Sequence, residues 1–479
     1  MEIADNGITD EAQAEEQAHE QATRPVPPLP EHLGIVKPHY RPGIARVPVD
    51  RFFKQEYHDL EVERIWKKAW QWACREEEIP DVGDYQIYEV AHLSFIVIRT
   101  APDEIKAYWN SCPHRARKLV TFDGKRASEL RCMFHGWAWN LDGSLKEMSC
   151  GWDFPGARPE EVKLPEVKVG TWGGYVFINP DPDAESLEAF LGELPMVFEG
   201  SGHDLAKRWK QVHVTAHLEA NWKVVQEAFL EAWHVGTTHP QLLVPASGHR
   251  GMDFVQRWDD FGNWMRWAVG PVEPGKKSGQ GPMGSPADTD EEYPNSFFDY
   301  HLNEERMVLD EGQTGVQAVH KRVREYHRAI IGDEVDQHSD YFMSAAEMQM
   351  VWPNFHPWQA FSRLMYRFRP YKSDPNRSVM DVLLLAPWPE GRPRPPACKP
   401  HVLDFGQSIT EAVSLGQLAR VFAQDLANIP HVQEGLKSCQ REYVILSDLH
   451  EAPLRHWHDR YDQWMGLDNT DGKIAEAAE

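Results

Sequence analysis

Two ligand spacings constrain this chain more than any other feature. Cys112-x-His114 is followed after seventeen residues by Cys132-x-x-His135, and further on comes Glu231-x-x-His234-x-x-x-x-His239. The first set offers two thiolates and two imidazoles, which suit a two-iron cluster whose irons differ. Cysteines hold one iron, histidines the other, and imidazole ligation raises the reduction potential. Cys and His in this order also suit a structural zinc. The flanking residues favour the cluster. Both pairs sit in small turns, Ser111-Cys112-Pro113-His114-Arg115 and Cys132-Met133-Phe134-His135-Gly136-Trp137, where Pro, Gly and aromatics build two opposed loops and keep water away. The second set places two histidines near a carboxylate, the style of a non-heme Fe(II) site with positions open for oxygen. In a chain with 23 histidines a lone His-x-x-x-x-His means little; after a complete cluster motif it means more. A cluster that stores an electron beside an iron that activates O2 implies oxygenase chemistry.

On these motifs the chain resembles the catalytic alpha subunit of a Rieske non-heme iron ring-hydroxylating oxygenase, over residues 40 to 465. Further segments carry the likeness. Glu63-Arg64-Ile65-Trp66 with Trp70 is similar to the family's opening helix, and Trp172-Gly173-Gly174-Tyr175-Val176-Phe177-Ile178-Asn179 to the strand closing its Rieske domain. Asn221-Trp222-Lys223 resembles the lead-in to the iron-binding helix, and Val351-Trp352-Pro353-Asn354 a strand of the catalytic sheet. The resemblance implies an α+β chain: an N-terminal antiparallel-β Rieske [2Fe–2S] domain, then a catalytic domain of antiparallel sheet flanked by helices in a helix-grip, START-like arrangement. It also implies one 2Fe–2S cluster on Cys112, His114, Cys132 and His135, and one mononuclear Fe(II).

Composition bounds the rest. A chain of 479 residues prompts two or three domains, and 41% apolar content with 19 Trp fills a sizeable core. No run approaches the ~20 apolar residues of a membrane span, and the start lacks a basic-then-apolar leader. Six scattered cysteines do not make a disulfide framework, so a reducing cytoplasm is expected. A net charge of −24 argues against nucleic acid. Residues 1–38 read as an acidic, Pro-rich flexible tail, with 1–24 too charged to bury surface and a stiff link at 24–30. Residues 39–75 read as an N-terminal helical segment with a helix from Leu60 to Cys74, 76–180 as the Rieske domain, 181–465 as the catalytic domain and 466–479 as a tail. The Gly/Pro/acid-rich stretch 271–294 reads as a long loop, disordered or a lid.

The mononuclear site needs a third ligand that spacing alone does not supply. On a predicted helix over Ile409–Asn428, Leu415, Leu418, Val421, Phe422 and Leu426 recur at helical intervals. Asp425 lies on that face, where a carboxylate needs a cation or donors. An internal salt bridge would satisfy it equally. The family resemblance decides, because Gln424-Asp425-Leu426-Ala427-Asn428 is similar to the late carboxylate ligand and implies a triad of His234, His239 and Asp425. His234 and His239 cannot share a face of a straight helix, since five residues advance about 140° beyond one turn; Gly236 is expected to end or distort it. At Glu231 most of the family has an aspartate that bonds the iron histidine and, across a subunit boundary, a Rieske histidine. The resemblance implies that Glu231 links His234 to His135 of a neighbouring chain, its extra methylene widening the interface or folding back. A solvated helix residue is the plain alternative. Glu227 stands where the family often has Asn or Gln, and weak ligand, proton relay and buried acid all remain open.

The resemblance further implies electrons from a ferredoxin or an NAD(P)H reductase, with NAD(P)H acting only indirectly. It implies an alpha homotrimer, with or without a beta subunit. Cis-dihydroxylation, monohydroxylation and oxidative demethylation share one iron site, and the sequence does not separate them. Arg115, Arg117, Lys118, Lys125, Arg126 and Arg131 surround the cluster ligands, either steering an acidic donor or pairing internally. Phe254, Trp258, Phe261, Trp264, Met265, Trp267, Phe342, Met343, Met348, Met350 and Trp352 read as core or as a roomy apolar pocket. As pocket they suit a hydrophobic aromatic, steroid or terpenoid substrate. Glu231 keeps a small charged amine open, as in the family's carnitine monooxygenases. Two further readings, a pure electron carrier and a zinc-stabilised binding protein, predict colour and iron content different from an oxygenase.

Overall fold

The computed structural model describes residues 44–201, 204–231, 233–239, 256–260, 262–269, 308–338, 343, 346–358, 363–388, 391–448 and 450–467. The predicted N-terminal tail with its Pro-rich link, the loop at 271–294, and residues 468–479 lie outside them. Of the aromatic stripe, Phe254, Phe261 and Phe342 lie outside them as well.

The chain enters through β1 (Arg46–Pro48) and α1 (Gln55–Glu61), after which Val62–Trp66 form one wide helical turn. The helix expected over 60–74 is therefore earlier and shorter, because β2 occupies Gln71–Arg75. All five β2 residues are buried, as in a strand covered on both faces. β3 (Tyr85–Val90), β4 (Leu93–Ala101) and β5 (Glu104–Trp109) follow. A small sheet of β6 (Leu130–Arg131), β7 (Ala138–Trp139) and β8 (Leu145–Glu147) stands apart. β9 (Glu166–Trp172) and β10 (Tyr175–Asn179) then complete a six-stranded antiparallel sheet, ordered β2-β10-β9-β5-β4-β3. The single strand read across 172–179 is thus a hairpin turning at Gly173 and Gly174, both at positive φ.

The second half is built on β11 (Arg208–Leu218), which leads into α2 (Trp222–Glu227) and the one-turn α3 (Val235–Thr238). β12 (Gln256–Asp260), β13 (Trp264–Val269) and β14 (Ala346–Val351) form one antiparallel sheet. β15 (His356–Pro357), β16 (Leu364–Tyr371), β17 (Asp374–Pro387), β11 and β18 (His401–Leu403) form another, antiparallel except that β18 runs parallel to β11. The helix expected over 409–428 is displaced: short 3-10 turns occupy 409–415, and α4 spans Gln417–Ser438. β19 (Tyr443–Ile445) pairs with β1, and α5 (Ala452–Met465) closes the described chain, with Leu467 of the expected tail still buried.

The halves share one core. Phe355 packs edge-on against Tyr175 and Phe177 of β10, and the Arg367 guanidinium lies 3.8 Å over the Trp72 ring while donating to the Trp72 and Ala73 carbonyls. Trp264, Met265, Met343, Met348, Met350 and Trp352 are buried core. The Asn221-Trp222-Lys223 motif also has a structural reason. Asn221 caps α2, while Trp222 Nε1, Lys223 Nζ and the Tyr461 hydroxyl all donate to the buried Glu61 carboxylate. Removing one partner of such a buried pair costs about 3–5 kcal/mol. No described helix is long and apolar enough to cross a membrane.

Candidate metal centres

Two loops of matching hydrogen-bond pattern present the first set of ligands. In the loop after β5, the Cys112 carbonyl accepts from Ala116 N–H and Cys112 N–H donates to the Arg117 carbonyl, both at 2.9 Å. Between β6 and β7, the Cys132 carbonyl accepts from Gly136 N–H at 3.0 Å, and Cys132 N–H donates to the Trp137 carbonyl at 2.8 Å. Ala116 and Gly136 occupy the same place in the two turns, at φ +56° and +78°. Asn110 pins the first loop through its side chain on both backbone groups of Val120.

Both cysteines are buried, His114 is half-buried and His135 is exposed. The histidine rings lie 4.6 Å apart, and His114 stacks on Trp137 at 4.8 Å. Burial, and then the neighbouring Cys132 thiol, raise the Cys112 pKa despite backbone N–H groups from His114 and Arg115. Two facing thiols in such a place ionise readily only with a cation between them. Among the described residues, only His234, His239 and Asp425 bring three ligand atoms within 4.8 Å of one another. The Cys112 and Cys132 thiols face each other, and the His114 and His135 rings pair beside them, a two-and-two donor set. They fit a two-iron cluster.

Of the surrounding basic residues, four pair internally: Lys118 with Glu89, Lys125 with Asp84, Arg126 with Asp81, and Arg131 with Glu129 and Glu147. Arg115 lies over the Phe134 ring, and Arg117 donates to the Lys118 carbonyl. Beside His135 in the chain the surface exposes Met133 and Phe134, the latter ring 3.9 Å from that of His135.

The second centre draws on distant elements. His234 and His239 flank α3 at its two ends. The helix does end between them, at Thr238 rather than at Gly236, which lies within α3, and a further break separates α2, ending at Glu227, from His234. Asp425 reaches in from the buried face of α4, alongside Leu418, Val421, Phe422 and Ile429. Its Oδ1 stands 3.3 Å from His234 Nε2 and 2.8 Å from His239 Nε2. Bonds of about 2.1 Å to one shared ion place neighbouring ligand atoms about 3 Å apart. The three residues therefore fit a facial triad.

Second partners orient both imidazoles. Glu231 Oε1 accepts from His234 Nδ1 at 2.6 Å, and Gln424 Oε1 accepts from His239 Nδ1 at 3.0 Å. With Nδ1 committed to these acceptors, each ring turns its Nε2 toward Asp425. Burial opposes a charge on His234, but the hydrogen bonds it donates to Asp425 and Glu231 override it and push its pKa up to about 10. A positive charge is therefore favoured between the two carboxylates, which is the electrostatic place of a divalent ion.

The extra methylene of Glu231 folds back. Its Oε2 accepts from the backbone N–H groups of Trp233 and His234, so both oxygens already have partners within the chain. Glu227 is not among the converging ligands. It accepts from His458 Nε2 at 2.9 Å, while Arg51 Nη1 lies 3.1 Å from His458 Nδ1. Arginine only donates, so His458 is locked neutral with its proton on Nε2. Burial raises Glu227 to about 8, against Lys223 and Arg51, yet 19% of its side chain stays accessible. Of its three readings, buried acid is the one these contacts describe. Gln424, His458 and Arg51 escaped the sequence reading; Gln424 was legible as the neighbour of Asp425, whereas nothing separates His458 from the other histidines.

Fold and centres together define a two-centre chain, with a cluster domain in front of a triad-bearing domain. Residues 69–153 match the Rieske [2Fe–2S] domain, and residues 206–467 match the ring hydroxylating alpha subunit catalytic domain. The chain belongs to the ring-hydroxylating alpha subunit family. It is 29% identical over 201 residues to the carnitine monooxygenase oxygenase subunit of Escherichia coli (strain K12), covering 40% of this chain and 52% of that protein. It is 30% identical over 214 residues to the anthranilate 1,2-dioxygenase large subunit of Acinetobacter baylyi, covering 42% of this chain and 44% of that protein. These matches span about half the length of the curated relatives. A quaternary ammonium Rieske monooxygenase bound to L-carnitine shares the fold at a TM-score of 0.60 and 17% identity, covering 92% of this chain and 100% of its own. Naphthalene 1,2-dioxygenase bound to phenanthrene does so at 0.61 and 17%, covering 89% and 93%.

Proposed function

We propose that this chain is the terminal oxygenase component of a multicomponent system, using O2 and electrons from a ferredoxin or an NAD(P)H reductase to hydroxylate a hydrophobic, aromatic or polycyclic small molecule. The observation that carries this reading is that one chain holds both the Cys112, His114, Cys132, His135 set and the converging His234, His239 and Asp425. When bound, the cluster supplies single electrons and the mononuclear iron activates O2. Cys112 and Cys132, both buried, would hold one iron of the cluster, and His114 and His135 would hold the other. Glu231 and Gln424 fix the Nε2 atoms of His234 and His239 toward the ion. A carboxylate behind a metal-bound imidazole also raises its basicity. Glu227 serves as a buried acid, protonated at neutral pH and bonded to His458. The working assembly is an alpha homotrimer, with or without a beta subunit, in the cytoplasm.

A second reading is oxidative attack on a small quaternary amine. It is favoured by the carnitine monooxygenase relative, by the glycine betaine monooxygenase oxygenase subunit of Pseudomonas aeruginosa at 29% identity over 201 residues, and by the acid Glu231 on His234. The deciding experiment is an EPR spectrum with iron and acid-labile sulfide assays on anaerobically purified, dithionite-reduced protein. Products are then screened with naphthalene and biphenyl against L-carnitine and glycine betaine. A rhombic reduced-cluster signal with about three irons and two sulfides per chain is expected. Zinc in place of both iron and sulfide would sink the oxygenase, and a cluster with only its own two irons would leave an electron carrier. Turnover of the amines alone would replace the aromatic reading.

A further inference from the structure

Between the two halves, behind the first ligand loop, lies a cleft of about 460 Å³ that neither metal centre uses. Its walls come from β3, the segment 118–123 that follows the Cys112 loop, β11, and the β16–β17 hairpin. Ala91 N–H donates to the Pro370 carbonyl at its edge, so both halves frame it. Its volume is that of a small-molecule site.

The local charge is positive in a chain whose net charge is −24. Asp381 lies 2.8 Å from Arg367 and 3.2 Å from Arg369. One carboxylate therefore serves two guanidinium groups, and its third partner, His213, is kept neutral chiefly by burial. Arg369 lines the cleft. Its Nε–H and one Nη2–H go to Asp381 and one Nη1–H to the Glu89 carbonyl, which leaves two of its five N–H groups. Lys372 has no carboxylate partner among the described residues, and its ammonium sits 4.9 Å from the centre of the Tyr371 ring. Of the two acids in the wall, Glu89 is neutralised by Lys118, while Asp123 accepts from Ile87 N–H and is shifted toward its protonated form by burial. Phe122, 73% exposed, and Tyr371 offer apolar ring surface beside these cations.

We propose that this interdomain cleft binds a small aromatic carboxylate, with the carboxylate held by Arg369 and Lys372 and the ring lodged against Phe122 and Tyr371. The forked guanidinium matches a carboxylate in geometry as well as charge. Because residues 118–123 continue the loop that carries Cys112 and His114, an occupant also braces the cluster loop. The site is independent of the reaction proposed at the triad.

The test is calorimetric titration of sodium benzoate into the metal-loaded full chain, with benzylamine as the cationic control. Lys372→Glu and Phe122→Ala change exposed side chains, and unchanged circular dichroism and cluster EPR verify the fold. Benzoate is expected to bind the wild type, to lose about tenfold in affinity with Lys372→Glu and less with Phe122→Ala, and to slow amide exchange at 118–123 and 369–372. Benzylamine is expected not to bind there. Absence of benzoate binding, or affinity that Lys372→Glu leaves unchanged, overturns the proposal; the latter result would place benzoate elsewhere, such as at the triad.

Discussion

The two candidate centres are built on opposite principles. The cluster ligands lie on two short loops with the same internal hydrogen bonds, each closed by its own backbone and held against a small sheet. The triad is assembled from a segment after β11 and a helix nearly two hundred residues later, and no local bond holds Asp425 near His239. The loops resemble a preformed clamp. The triad exists only once α4 has packed against the catalytic sheet. Damage should therefore stay local in the first case and spread to the rest of the domain in the second.

The largest effect should come from Cys132→Ser. It removes a thiolate from the clamp, so the two cluster irons and the colour are lost while the mononuclear iron remains, as counted by metal and sulfide analysis. Retention of acid-labile sulfide would contradict the ligand assignment. Asp425→Ala is the counterpart: one iron per chain is lost, turnover falls below detection, and the reduced-cluster EPR signal persists. If full iron content survived this change, the triad would need another carboxylate.

Glu231→Gln keeps the size of the side chain but weakens the hold on His234 Nδ1. Mononuclear iron affinity or turnover should drop by about 10–100-fold, the usual range for a partner behind a metal-bound histidine. Cluster content is the control and should not change.

Glu227→Gln sharpens the comparison through pH. Burial raises the folded-state pKa from the ordinary 4.5 to about 8, so the folded chain keeps a proton that the unfolded chain releases. The stability this proton contributes is full below about pH 4.5 and is lost as pH rises through 8. Denaturant melts of wild type and variant should diverge most near pH 8, with the variant the more stable. Parallel curves from pH 5 to 8 would show that Glu227 is ionised.

The smallest effect probes the matched loops. Ala116 pays for a left-handed backbone that Gly136 adopts freely. Ala116→Gly should stabilise the Rieske half by about 0.5 kcal/mol and Gly136→Ala should cost about 1 kcal/mol. The added Cβ at 136 would also meet Ser149 Oγ at 3.0 Å. Equal thermal shifts of the same sign would refute the equivalence of the two turns.

Much of this was legible from residues alone, for a physical reason. The cluster ligands are close in sequence because a short turn can present both members of a pair, so spacing reports chemistry directly. The strands at 85–88, 94–98 and 380–385 were legible because β-branched and aromatic runs favour pleated, buried surface. The helix placed over 60–74 failed because Trp66, Trp70, Trp72 and Cys74 offer an apolar pattern that a helix and a strand buried on both faces can share. The helix placed over 409–428 started too early because Ile409, Ala412, Leu415 and Leu418, buried every three residues, carry the apolar spacing through the 3-10 turns into α4.

The sequence by itself carried the likeness to the family, the two-domain order and the candidate metal-ligand types, because near-neighbour motifs and spacing hold them. Only the tertiary structure brought Asp425 onto His234 and His239, as the resemblance implied, folded Glu231 onto its own backbone, and set Glu227 against His458 and Arg51. Those outcomes depend on contacts between residues far apart in the chain, which packing alone brings within reach of a hydrogen bond.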